Sequence, residues 1–146
     1  MKKIITLVVL ALSVSAYARE TVSFGYSGME GWGQTYYSCD YVEAQTEKVL
    51  EMFGATEVSV RCSGGIEMGQ MWPVSVRASF EAPVLVGTEV AQVVTHKGDS
   101  RNPACGLNVR IVKSLLPKFS NVTVLEKSDS CAFARSNYSY EFSIVK

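Results

Sequence analysis

The stretch CDYVEAQTEKVLEMFGATEVSVRC, Cys39 to Cys62, decides the fold, because it holds a helix, a turn and a strand between two cysteines. Ser38 or Asp40 can cap the helix, and Asp40 with Glu43 has capping-box spacing. Val42, Thr46, Val49, Leu50 and Phe53 then recur at helical spacing. Gly54 is a natural stop, since glycine tolerates the left-handed conformation of a helix C-cap. Beyond it Val58, Val60 and Cys62 alternate with Glu57, Ser59 and Arg61, the period of a half-buried strand. Roughly fourteen helical residues advance about 21 Å. Roughly six strand residues return about 20 Å. A reversal at Gly54 therefore brings Cys62 back beside Cys39, where a disulfide can clip helix to strand.

The second half repeats this arrangement. CGLNVRIVKSLLPKFSNVTVLEKSDSC runs from Cys105 to Cys131. Shifted back by 66 positions, Cys105 falls on Cys39, Leu116 on Leu50, Phe119 on Phe53 and Val124 on Val58. Val112 meets Thr46 and Leu115 meets Val49, while the fourth cysteine is three residues out of step. Pro103 precedes this helix, and Pro117 should end or distort its last turn. The spacing predicts Cys39–Cys62 and Cys105–Cys131, one disulfide per unit. The competing pairing, Cys39–Cys105 with Cys62–Cys131, needs the two helix starts to be neighbours. Two units related by a twofold would set the helices antiparallel, with their starts about 20 Å apart. A disulfide spans at most about 7 Å between Cα atoms.

Alternation predicts four further strands, at 21–27, 73–84, 88–96 and 138–145. The order is β-α-β-β, twice, over about 20–83 and 86–146. One apolar face per strand needs one covering layer. The expected fold is an α+β two-layer sandwich of duplicated β-α-β-β units, with one largely antiparallel sheet, two helices on one face and two disulfides. Each half alone would have a marginal core, so residues 19–146 read as a single domain.

Residues 1–18 read as a signal peptide. Lys2 and Lys3 precede an apolar run, Ile4 to Leu12, and Ala16-Tyr17-Ala18 is a cleavage site, so the mature chain should begin at Arg19. The run is too short for a comfortable membrane span, and none is expected after cleavage. The full chain carries 14 basic and 14 acidic residues, and loss of the two signal lysines leaves 12 against 14, a formal net charge of −2. With no basic patch evident, nucleic acid is not an expected partner. An even number of cysteines in an exported chain reads as a disulfide framework, placing the protein in the periplasm or the medium.

Catalytic motifs are missing. No C-x-x-C, G-x-S-x-G or H-E-x-x-H is present, and the cysteine spacings do not form zinc pairs. His96, the one histidine, falls at a strand end beside Lys97-Gly98-Asp99 and reads as a surface residue. Glu30, Asp40, Glu43, Glu67 and Glu81 are the carboxylates to weigh for glycosidic chemistry, which needs two of them about 5–10 Å apart. Nothing in the sequence places any two so, and Asp40 and Glu43 have a sufficient role at the helix start. Asn121-Val122-Thr123 and Asn137-Tyr138-Ser139 match the glycosylation sequon, which matters only in a eukaryotic host.

Two glycine-rich loops carry aromatics. GYSGMEGWGQTYY, residues 25–37, interleaves four glycines with Tyr26, Trp32, Tyr36 and Tyr37. GGIEMGQMWP, residues 64–73, holds Met68, Met71 and Trp72. Two methionines and a remote histidine make a thin copper site, and methionines more often fill core gaps. Flexible loops bearing aromatics offer stacking surface to sugar rings or to a partner protein. The expectation is a small exported, disulfide-stabilised, non-catalytic binding protein for a protein or glycan ligand. Tyr26, Trp32, Tyr36, Tyr37 and Trp72 are its candidate contacts, and neither metal nor cofactor is expected. The alternatives are an exported hydrolase using loop carboxylates such as Glu30 or Glu67, and a structural envelope-associated protein.

Overall fold

A computed structural model describes residues 16–30, 33–86, 90–98, 104–131 and 137–146. The strands are β1 (Ala16–Tyr26), β2 (Met29–Glu30), β3 (Gly33–Gln34), β4 (Thr56–Glu67), β5 (Gln70–Val84), β6 (Ala91–Lys97), β7 (Val122–Ser128) and β8 (Ser139–Val145). The helices are α1 (Cys39–Met52) and α2 (Cys105–Leu115), the latter followed by a 3-10 turn at Leu116–Lys118. The predicted cleavage point after Ala18 falls inside β1, and residues 1–15 lie outside the described chain.

Local chemistry explains the helix ends. Ser38 is the N-cap of α1, its Oγ accepting from the Tyr41 backbone N–H at 3.4 Å. Asp40 and Glu43 do not form the expected capping box. Glu43 instead accepts from the Cys62 backbone N–H at 2.7 Å, tying helix to strand beside the disulfide. At the other end Gly54 sits at φ +88°, and the Ala55 N–H reaches back to the Leu50 carbonyl at 2.9 Å, a Schellman closure. Pro117 lies in the 3-10 turn, so α2 ends just before the residue that cannot continue it. Both disulfides are local, Cys39–Cys62 and Cys105–Cys131, with Cα separations of 5.3 and 5.7 Å.

The fold is α+β, but, with β2 and β3 paired apart as a two-stranded ladder, the long strands form two antiparallel three-stranded sheets rather than one. Their orders, β1-β5-β4 and β6-β8-β7, are the same in each half. In both, the last strand of the unit takes the middle place and pairs with the first strand on one side and with the strand that follows the helix on the other. Both hydrogen-bonding edges of β5 and of β8 are thereby used within their own unit.

Side chains, not a shared ladder, join the halves. Val74, Val76, Ala78, Phe80 and Ala82 of β5, and Tyr140, Phe142 and Ile144 of β8, are buried in one cluster with residues of both helices. Phe53 packs edge-on to Phe119 and to Phe142, with centroids 5.1 Å apart in each case, and Phe119 stacks on Phe80 at 5.3 Å. The two helix-to-strand turns meet there: the Asn121 amide donates to the Phe53 carbonyl at 2.9 Å and to the Val145 carbonyl at 3.0 Å. Asn121 is buried, so this sequon asparagine is closed to a glycan.

His96 is not a surface residue. It pairs with Tyr140 on the inner face of the second sheet, is only 4% exposed, and packs against Tyr138 with ring centroids 5.1 Å apart. The charged residues that follow it suggest a strand end in solvent, but strand alternation turns this position inward.

Candidate binding surface

The two glycine-rich loops converge at one end of the first sheet. The Ile66 backbone N–H donates to the Tyr37 carbonyl at 3.2 Å, which lays the first loop along the distal half of β4. Gly65 permits this approach: at φ +79°, a Cβ there would stand 2.6 Å from the same carbonyl. Part of the first loop is hydrogen-bonded to itself. The Thr35 N–H donates to the Gly28 carbonyl, and β2 pairs with β3 between them.

The five candidate aromatics receive different fates. Tyr37 is buried and stacks on Tyr41, centroids 5.5 Å apart at 17°, so it belongs to the core rather than to a contact surface. Tyr26 lies 6.1 Å from Tyr37 and is half-buried, as is Tyr36. Trp72 is 56% exposed. Trp32 lies outside the described residues, as does the side chain of Glu30.

Beyond Trp72 the β4–β5 hairpin projects a group that the sequence reading did not assemble. Met68 and Gly69 form its two-residue turn with φ +48° and +76°, the left-handed pair that matches hairpin twist. Met68 is thereby held 97% exposed, with Ile66 and Met71 paired across the strands behind it and about half exposed. These methionines fill no core gap. The signal available in sequence was glycine at position 69, between two strand-like runs.

A cavity of about 460 Å³ adjoins the hairpin, between the start of α1 and β4. Its lining includes the Cys39–Cys62 bridge, Ser63 and Gly64, with Ile66 and Glu67 on the hairpin side and Asp40 on the helix side. Asp40 and Glu67, two of the carboxylates weighed above, thus share one cavity, while Glu43 is held by the Cys62 amide.

Other titratable groups belong to the second half. Burial, then the charge of Lys48, lowers the His96 pKa to about 4. Burial pushes the Asp129 carboxyl up, but hydrogen bonds from Lys113 and Tyr140 and the charges of Lys113 and Lys127 outweigh it and hold the group below its ordinary value. Lys113 and Lys127 approach Asp129 at 3.2 and 3.6 Å. Among the described residues no group of three or more His, Cys, Asp or Glu is placed to hold a metal ion, and no helix is long and apolar enough to cross a membrane. No family model, no curated protein and no solved structure matches the chain.

Proposed function

We propose that this chain is an exported, non-catalytic binding module whose contact surface is the β4–β5 hairpin end. The observation that carries the reading is the tip itself: Ile66, Met68, Met71 and Trp72 stand in solvent on a tight hairpin, beside a cavity and a half-buried tyrosine group. Exposing large apolar side chains together is unfavourable in an isolated chain and is the mark of a contact site. Trp and Met are also favoured at the centres of protein interfaces. The two disulfides support an oxidising compartment. With the leader of residues 1–18, they fit a periplasmic or secreted protein, and the matching strand orders fit an origin by duplication.

The ligand is a protein or a glycan. The test is capture by the mature protein from envelope extract and on purified cell-wall glycan, with Trp72→Ala beside the wild type. The variant should lose about 2 kcal/mol or more of binding, as hot-spot aromatics do, with its melting temperature nearly unchanged. Unchanged capture by Trp72→Ala would remove the hairpin end as the site.

A hydrolase reading draws on one observation, that Asp40 and Glu67 line the same cavity. Turnover of cell-wall glycan that vanishes in Glu67→Gln would establish it in place of simple binding.

A further inference from the structure

The two sheets carry the same pattern on their outer faces, with the charge reversed. Val76, Ala78 and Phe80 of β5 and Tyr140, Phe142 and Ile144 of β8 are buried. Alternation therefore sends the residues between them outward. On the first sheet one row across the strands reads Ser23, Arg77, Arg61, and the next reads Gly25, Ser75, Ser63. The matching rows of the second sheet read Thr95, Glu141, Glu126 and Lys97, Ser139, Ser128. On the other side of the charged row stand Thr21, Ser79, Ser59 in the first sheet and Val93, Ser143, Thr123 in the second.

Like charges directly opposed across a ladder are destabilising, yet each face holds one such pair, Arg61 with Arg77 and Glu126 with Glu141. Among the described residues, none of these four side chains makes an ion pair or hydrogen bond. Glu81 is four residues along β5 from Arg77, about 13 Å away, and is itself opposed by Arg19. Lys127, near the acidic pair, is engaged with Asp129. Lys97 stands at one corner of the acidic face.

We propose that a second copy of this chain satisfies both pairs. The outer face of the first sheet in one copy docks on the outer face of the second sheet in the next, with Arg61 and Arg77 against Glu126 and Glu141. The inner faces of both sheets share one core, so the two outer faces point away from it and cannot meet within one molecule. The acidic face holds a depression of about 180 Å³ lined by Thr95, Glu126, Lys127, Ser128, Ser139 and Glu141. That is a seat for a guanidinium, whose planar fork matches a carboxylate bidentately. Val93 and Leu125, each more than half exposed on this sheet, add apolar area beside it. The serines and threonines of the flanking rows supply neutral contacts on either side, with Lys97 the one charge among them. Because the two surfaces differ, the contact is heterologous, and it propagates head to tail until a ring closes or the chain ends. The hairpin tip has no part in it.

The test is sedimentation velocity on the exported protein over a range of concentrations, at about 0.02 M and about 0.5 M salt, where the reach of charge differs several-fold. Association at low salt, weakened at high salt, is expected. Arg61→Glu with Arg77→Glu makes both faces acidic, and Glu126→Arg with Glu141→Arg makes both basic. Each double variant alone should associate at least about tenfold more weakly than wild type, because like faces now repel. Mixing the two should restore association, since every basic face then meets an acidic one. Circular dichroism confirms that each variant is folded, and Arg61→Gln with Arg77→Gln, a milder change, should weaken association in the same direction. A wild-type protein that stays monomeric throughout overturns the proposal. So does association that persists in both double variants, or a mixture that fails to rescue it.

Discussion

Acid should weaken this fold first through one side chain, His96. His96 is the one imidazole in the sequence. Burial, then the nearby charge of Lys48, lowers its pKa from 6.5 to about 4, and its Nε2 has no hydrogen-bond partner among the described residues. In the unfolded chain the ring takes its proton near pH 6.5, whereas in the folded chain it resists until about pH 4. Between those values the unfolded state binds more protons, so stability rises with pH across the window and falls on acidification. A difference of that size corresponds to about 3 kcal/mol, fully lost below the folded pKa. For a domain of ordinary stability, about 5–15 kcal/mol, this is a large fraction. Urea denaturation at steps from pH 7.5 to 3.5 measures the slope, and the proton resonance of the lone imidazole gives its pKa without an assignment problem. His96→Phe keeps a ring against Tyr138 and removes the titration. Subtracting its profile from that of the wild type isolates the histidine. The Asp129 carboxyl does not confuse the result, because its folded pKa lies below 3.8 and its own contribution is lost below that window. An imidazole that titrates near 6.5 in the folded protein, or an equally steep slope in His96→Phe, would refute the reasoning.

Cys39→Ser with Cys62→Ser should leave Cys105–Cys131 intact and cost about 3 kcal/mol, the chain-entropy value for a loop of this size; peptide mapping without reductant and urea denaturation check the two halves of that statement. Phe53→Ala should cost about 3–5 kcal/mol, because it removes the ring that meets both Phe119 and Phe142; a loss below about 1 kcal/mol would mean that the halves are held by other contacts. Gly65→Ala places a methyl against the Tyr37 carbonyl at a positive φ. It should cost about 1–3 kcal/mol, and hydrogen exchange should show faster loss of protection at the Ile66 amide than at the β5 core positions.

The sequence by itself determined both helices, the two helix-strand clips and the inward faces of β4, β5 and β8. Ser38, Gly54 and Pro117 mark helix ends through backbone geometry that acts within a few residues, and the alternation around Val60 and Phe142 needs no distant partner to be read. The local disulfides followed from the same short-range arithmetic, since a helix and a returning strand of matched length bring their own cysteines together. Only the tertiary structure decided how strand edges pair. Placing β5 between β1 and β4 opposes Arg77 to Arg61 and gives two sheets instead of one. Nothing in either local stretch encodes that choice, because edge hydrogen bonds are alike along every strand and register comes from packing across the whole core. Burial of His96 and Tyr37 was hidden because each sits in a polar local context; Tyr138, far along the chain, covers His96, while Tyr37 is held by Tyr26, Tyr41 and the Ile66 backbone. The exposed hairpin tip was hidden in the opposite sense. Met68 and Met71 read as fillers of core gaps and Trp72 as a contact on a loop, and it is the tight turn at Met68-Gly69 that sets all three in solvent on one hairpin.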